Sequence, residues 1–463
     1  MAGGLLTDLY ELGMAAAYLR AGMTGRATFS LFVRRLPPDR GFLVAAGLAD
    51  CLDFLEGFSF APGELDYLRG TRRFAPEALE AFARLRFTGD VWAVPEGTVV
   101  FAGEPLLEVT APIAEAQLVE TVLLNHVTFQ TAVASKAARC VLAAGGARLV
   151  DFAFRRAHGV EAAVAVARAA AIAGFAATSN TEAARRYGLV PAGTMAHSYV
   201  EAFGDERAAF EAFAAEFPAD CAFLVDTYDT MGGVRAAVAA VAGTPRSRRI
   251  RIRLDSGDLA ELSRAARRTL DEAGLRRAEI FASGGLDEHA IAELAAGGAP
   301  IDVYAVGTRL GVSFDAPSLD SAYKLVVYQD RPTMKLSPGK VSAPGAKQVF
   351  RPDAGTGGEP GDIVALREEP VPAGYRTLLA PVMLSGRRPA EAEPLAAMRD
   401  RCAAGLARLP AAARALRDPV PPPVRYSRRL TRLACQVRRD ILAAAAAGAP
   451  DPAAGDRRDG GRR

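Results

Sequence analysis

The sequence predicts an α/β protein organised around a β/α barrel, closed or nearly closed, with an α+β region ahead of it. Three observations carry this expectation. Between 148 and about 310, short apolar runs alternate with Ala-, Glu- and Arg-rich segments of helical character such as 259–274. The runs are seven in number, at 148–154, 174–180, 190–197, 222–229, 250–258, 279–285 and 302–308, and each ends in polar or Gly residues. Alternation of this kind builds parallel βα units, and seven in succession suggest a barrel.

Taken in chain order, residues 5–22 read as a helix, with Thr7 or Asp8 as its N-cap and Gly22 near its stop. Residues 27–36 are extended and mostly apolar, and 91–112 carry Pro and Gly between short β-branched runs, so this first region reads as α+β. Residues 113–145 are apolar at helical spacing and predict one or two helices leading into the barrel. After 310 come a Lys cluster, a Pro/Gly-rich connector and a further helical segment. The last residues have no apolar pattern and are expected to be disordered.

At 463 residues and 50% hydrophobic content, the chain is long enough for two or three domains with a sizeable core. Its 56 basic and 53 acidic residues nearly cancel, which argues against nucleic acid or membrane as the main partner. Cys51, Cys140, Cys221, Cys402 and Cys435 stand apart, without CxxC or metal-ligand spacing, so neither disulfides nor structural zinc are expected. No segment approaches the roughly 18 unbroken apolar residues of a membrane span, and no leader pattern opens the chain, so a reducing cytoplasm is the expected location. Among the basic residues only Lys136, Lys324, Lys335, Lys340 and Lys347 are lysines, and four of these fall between 324 and 347. In a chain that otherwise uses Arg, this suggests point-charge contacts to phosphate or ATP for Lys136, Lys324, Lys335 and Lys340, with a solvated basic loop as the alternative for the cluster.

Arg155, Ser179, His197, Asp226, Asp229, Arg253, Asp255, Ser283 and Thr308 all sit at the C-terminal edges of the seven runs. In parallel α/β architectures that edge is where loops converge on a ligand, so the site is expected there. "SGG" at 283–285 and "GT" at 307–308 each follow a run and precede a helix, a geometry in which backbone N–H groups and the helix N-terminus bind phosphate. Either motif alone would be an ordinary βα turn.

The segments "LLTDLYELGM", "PEGTVVFAGEPLLEV", "DFAFRRAHG", "TSN", "GTMAHSYVEAF", "LVDTYDT", "RLDSGDL", "FASGGLD", "AVGTRLGVS" and "YKLVVYQDRPTMKLSPGK" occur in that order over about 5 to 440. In this set and order the chain resembles the nicotinate phosphoribosyltransferases. The resemblance implies the type II phosphoribosyltransferase fold, an irregular β/α barrel with a second, smaller α+β domain built from both chain ends. The expected organisation is an N-terminal domain with lead-in helices over 1–140, the barrel over 141–325, a C-terminal return to the first domain over 326–445, and a disordered tail over 446–463. It also implies a homodimer with shared active sites.

The implied reaction is ATP-coupled: nicotinate, phosphoribosyl pyrophosphate, ATP and water give nicotinate mononucleotide, pyrophosphate, ADP and phosphate, in NAD biosynthesis. Within "GTMAHS", His197 resembles the histidine that ATP phosphorylates. Arg253 resembles the Arg that binds nicotinate, and a guanidinium fork suits a planar carboxylate. Its alternative role is a salt bridge to Asp255 or Asp258. Thr194 and Ser179 match nicotinate contacts, and Tyr10 matches a residue that covers the pyridine ring from the partner subunit. Phe152 and Arg155 resemble a ring-stacking pair of the related nicotinamide enzyme. Asp226, Asp255, Ser283, Gly284, Gly285, Gly307 and Thr308 are assigned to phosphoribosyl pyrophosphate. Mg²⁺ is expected as cofactor, held mainly by substrate phosphates, with no protein ligand assigned. No Walker A pattern is present, so ATP is expected to share the site of the sugar pyrophosphate.

The chain departs from the pattern at Gly13, where Thr is usual, and at Ala153 and Ala177, where Gly is usual. Nicotinamide phosphoribosyltransferase activity is the nearest competing function, but there the residue matching Ser179 is Asp, whereas Ser179 spares an incoming carboxylate from repulsion. A Schiff-base aldolase would want a Lys at a strand end, and none of the seven runs ends in one. A non-catalytic binding paralogue would be expected to lose His197, Arg253 or the Gly turns, all of which are present.

Overall fold

The computed structural model describes residues 3–242, 249–337, 342–353 and 361–447. Lys340, and the expected tail beyond Ala447, lie outside them.

The barrel half is a curled, six-stranded parallel sheet in the order Ala177–Thr178, Arg148–Asp151, Val303–Val306, Glu279–Ala282, Arg249–Leu254, Asp220–Leu224. These strands are short because each apolar run holds only a few residues between helix and turn. Alternation along them separates two faces. Leu149, Ile252, Leu254, Ile280, Ala282, Tyr304 and Val306 join the large core beneath the helices. Val150, Phe281, Val303 and Ala305 form a small inner cluster against which Phe152 packs. Register sets Phe281 beside Arg253, so alternation puts this Arg on the inner face.

Six of the seven expected runs form strands. The seventh, 190–197, contributes only the isolated parallel bridge between Pro191 and Thr178, flanked by hydrogen bonds from Thr178 N–H to Val190 O and from Ala192 N–H to Thr178 O. Pro191 itself takes no part in these two bonds, and the Ala-Gly-Thr stretch after it leaves the sheet edge and runs as a loop toward His197.

The second domain is built from both chain ends, as the resemblance implies. Its antiparallel sheet orders the strands Arg331–Pro332, Ser321–Tyr328, Arg26–Val33, Pro105–Pro112, Asp90–Ala93 and Ala380–Met383. Phe29 stacks on Tyr323 across it, with ring centroids 4.7 Å apart, a direct link between early and late sequence. A four-stranded sheet of Tyr375–Thr377, Lys347–Pro352, Asp362–Leu366 and Val424–Tyr426 extends this half.

Between the halves runs the helix Glu120–Ala143. Leu123, Val127 and Ala132 pack into the core of the antiparallel domain, while Val133, Ala134, Ala137, Ala138 and Cys140 pack into that of the barrel. This helix crosses position 140, and the strand Ser321–Tyr328 crosses 325, so neither position is a break between elements. Among the described residues no helix is long and apolar enough to cross a membrane.

Candidate active site

Arg253 is the last residue but one of its strand, and its buried guanidinium lies across the barrel mouth. Nε donates to Ser283 Oγ at 2.9 Å, Nη1 to Thr194 Oγ1 at 2.8 Å and Nη2 to Asp255 Oδ1 at 2.9 Å. Its carbon Cζ sits 5.3 Å from the centroid of the Phe152 ring, which in turn lies 5.5 Å from the ring of Phe281. A planar cation beside an aromatic face, with donors aimed sideways, is chemistry suited to a flat, anionic ring. Arg253, Phe152 and Thr194, expected at the nicotinate site, are thus brought together. The salt bridge offered as the alternative for Arg253 also forms, to Asp255.

Asp255 is the electrostatic hinge of this group. Burial acts to raise its pKa, but the Ser283 hydroxyl, Arg253 and His197 outweigh it and hold the carboxyl below the usual range. His197 opens the helix His197–Phe203. Its Nδ1 shares a hydrogen bond with Thr227 Oγ1 at 3.2 Å, and its half-exposed ring presents Nε2 4.0 Å from Asp255 Oδ2. Asp226 Oδ2 accepts from the Asp255 N–H at 3.0 Å and from Ser256 Oγ at 2.6 Å, while its Oδ1 is shielded and has no partner.

On the adjoining edge lie the two glycine turns. Gly284 has φ of +92°, and a Cβ there would meet Asp255 O at 1.9 Å, so this turn is closed to any other residue. Gly285 also has positive φ, +64°, but faces open space. Gly307 caps the short helix Thr308–Gly311, and Thr308 is exposed. Arg155 is exposed on the 3₁₀ turn Phe154–Arg156, at the same edge. Ser179 is half-buried just past its strand, its N–H bonded to Asp151 O at 2.8 Å.

Other expected residues are placed elsewhere. Lys136 is fully buried, with Nζ 2.5 Å from Glu288 Oε2 and 3.0 Å from Asp315 Oδ1, so its ammonium is enclosed by protein carboxylates and cannot meet a phosphate directly. Lys324 lies on the antiparallel sheet, where its charge acts on Glu120, and Lys335 follows that sheet's edge strand with its N–H on Ser342 Oγ. Tyr10 is exposed on the helix Leu9–Arg20, and its hydroxyl donates to Glu11 Oε1 at 3.2 Å.

Two groups escaped sequence reasoning although both stand inside the quoted motifs. Thr227 orients His197. Asp151, pushed up to about 6 by burial, accepts from Ala153 N–H at 2.8 Å and Thr178 Oγ1 at 2.7 Å, and so fixes the loop that carries Phe152. The departures are also accommodated: Ala153 is fully buried where Gly311 leaves room for its methyl, Ala177 is half-buried in its strand, and Gly13 faces open space.

The family model described as nicotinate phosphoribosyltransferase (NAPRTase) N-terminal domain matches residues 5–128, and that described as quinolinate phosphoribosyl transferase, C-terminal domain, matches residues 133–320. The chain is 51% identical over 418 residues to a nicotinate phosphoribosyltransferase of Mycobacterium tuberculosis, covering 90% of this chain and 89% of that one. It is 45% identical over 377 residues to the Bacillus subtilis nicotinate phosphoribosyltransferase, covering 79% and 77%. Among solved structures, human nicotinic acid phosphoribosyltransferase superposes with a TM-score of 0.82 at 30% identity, covering 94% of this chain and all (100%) of that one. The nicotinate-nucleotide pyrophosphorylase of Pyrococcus furiosus superposes at 0.72 with 25% identity, covering 87% and 94%.

Proposed function

The chain belongs to the nicotinate phosphoribosyltransferase family, and from that premise we propose that it joins nicotinate to phosphoribosyl pyrophosphate in NAD biosynthesis. The observation that carries this reading is the Arg253–Phe152 pair beside two glycine turns at one barrel edge. The pair suits a flat pyridine carboxylate, and the turns suit the phosphates of the sugar.

The pyridine nitrogen is a free nucleophile at neutral pH, so no general base is required. It attacks the anomeric carbon as the bond to pyrophosphate breaks, and positioning with charge stabilisation supplies the rate. Arg253 binds the carboxylate, Thr194 and Ser283 hold Arg253 in orientation, and Ser179 contacts the pyridine ring without adding negative charge. Asp226 and Asp255 serve the ribosyl pyrophosphate. Gly284, Gly285, Gly307 and Thr308 offer backbone and hydroxyl donors to its phosphates. Arg155 adds charge at the rim.

The ATP coupling is assigned to His197. Thr227 holds one ring nitrogen and leaves Nε2 at the mouth, where it accepts the γ-phosphoryl group as the β–γ bridge breaks and ADP leaves. Hydrolysis of the phosphohistidine then returns the free imidazole. Mg²⁺ would neutralise the substrate phosphates. Among the described residues no cluster of three His, Cys, Asp or Glu is placed to hold a metal, and the chain's fit to the ion reduces to single oxygens such as the unpartnered Asp226 Oδ1. Tyr10 is assigned to the partner's site in a homodimer.

Incubating purified protein with phosphoribosyl pyrophosphate and Mg²⁺, with nicotinate, nicotinamide or quinolinate and with or without ATP, tests the reading. Nicotinate mononucleotide is the expected product, faster with ATP. Product from nicotinamide or quinolinate in its place would replace the assignment.

A further inference from the structure

We propose that Lys136 is a positioning residue that couples the Ser283–Gly285 turn to the Gly307–Thr308 turn from beneath and thereby sets affinity for the sugar pyrophosphate. The inference rests on the phosphoribosyl-transfer reading above.

Each turn leads within several residues to an acid, fully buried behind the first and partly buried behind the second. After Gly285 come Asp287, which caps the helix Glu288–Ala296, and Glu288, fully buried. After Thr308 come Ser313 and Asp315. Arg139 pairs with Glu288, Nε to Oε1 at 2.9 Å, and donates from Nη1 and Nη2 to the backbone oxygens of Asp39 and Leu416. Arg40 pairs with Asp315, Nε to Oδ2 at 2.8 Å and Nη2 to Oδ1 at 3.0 Å, and also reaches Ser313 Oγ at 2.7 Å. Either arginine therefore anchors one turn. Among the described residues, Lys136 is the cation that contacts both acids.

The segment behind the second turn needs such an anchor. Ser313 has φ of +45°, a conformation that L residues rarely adopt, and it is held there by Arg40 and by its own hydroxyl on Ala132 O at 3.2 Å. The partly exposed Arg309 also pairs with the buried Asp287, so a second ion pair joins the two loops. Three cations face the two acids Glu288 and Asp315 in this interior. Asp287, also buried, feels the charge of Lys136 as well, so the three cations tie three acids into one network beneath the turns assigned to phosphate.

The same count makes the test feasible. In Lys136→Met each acid keeps an arginine, so no carboxylate is left buried and unpaired, whereas removing Glu288 would strand cations. Steady-state kinetics of the full-length Lys136→Met protein are expected to show KM for phosphoribosyl pyrophosphate raised about 10-fold with KM for nicotinate nearly unchanged. Amide hydrogen exchange should accelerate in both 283–288 and 308–315. Lys136→Gln, which keeps a polar head, should fall between. Unchanged KM values, equal rises for both substrates, or faster exchange in only one segment would overturn the proposal. If the unmodified protein transfers no phosphoribosyl group, the functional reading fails, and hydrogen exchange still decides whether Lys136 couples the turns.

Discussion

Arg253 carries a division of labour that its neighbours enforce. Ser283, Thr194 and Asp255 fix its guanidinium, and Phe152 covers it, so an arriving carboxylate meets a cation already in place. Pre-organisation of this kind means little ordering cost at binding. Arg253→Ala is expected to weaken nicotinate use by roughly 10- to 100-fold, from about 1.5–3 kcal/mol for a charge-assisted hydrogen bond. It should also erase most of the preference for nicotinate over nicotinamide, which competition between the two substrates would measure. Retention of that preference would move the carboxylate elsewhere. His197 makes a different prediction, because energy coupling and glycosyl transfer need different chemistry. His197→Asn should lose nicotinate-dependent ATP hydrolysis and the acid-labile protein phosphate while keeping slow ATP-independent synthesis. A mutant that still hydrolyses ATP in step with product would return His197 to a structural role with Thr227.

At the scale of single elements, the turn after the strand Glu279–Ala282 shows how backbone geometry makes a site. Gly284 and Gly285 both have positive φ, yet only Gly284 lies against backbone, at Asp255 O. Gly284→Ala should therefore force the Asp255 loop apart and remove both pyrophosphate affinity and folding stability. Gly285→Ala meets no atom within 4 Å and should cost about 1 kcal/mol of backbone strain, with a small change in thermal midpoint. Comparing melting curves and substrate KM values of the two variants checks the contrast, and equal effects would contradict it. The opposite side of the mouth relies on Asp151, whose two hydrogen bonds hold the loop of Phe152. A carboxyl pushed up to about 6 by burial is an element of loop geometry here, not an acid awaiting substrate.

For the whole molecule, the helix Glu120–Ala143 is the common beam. One stretch of it belongs to the core of the antiparallel domain and the next to that of the barrel, with Lys136 and Arg139 directed at the acids behind the glycine turns. The ion pairs thereby link the turns to the join between domains. The dimer proposed for the functional protein adds a further level, because Tyr10 stands exposed, remote in sequence from every barrel motif. Co-assembled Tyr10→Ala and Arg253→Ala chains, each with little activity alone, should regain activity, since one hybrid site keeps both residues. Verified heterodimers without recovery would show that each site is built within one chain.

What the sequence by itself determined follows from interactions that are local along the chain. Alternation of apolar runs with helical segments, turn chemistry and the ordering of motifs sufficed for the parallel barrel, the glycine turns and the strand-end positions of Arg253 and Asp255. The family resemblance added the return of the C-terminal strands to the first domain, which no local pattern contains. Only the tertiary structure decided what depends on distant partners. Lys136 reads as a free phosphate ligand until packing encloses it between Glu288 and Asp315. The run at 190–197 has a strand's composition but pairs through one bridge, because the chain leaves the sheet edge after Ala192 and turns toward His197. Thr227 and Asp151 were visible as letters in motifs, and their roles emerged when the sheet brought them to His197 and Thr178. Burial and ion pairing are properties of surfaces that meet across the fold, and a one-dimensional pattern does not encode which surfaces those are.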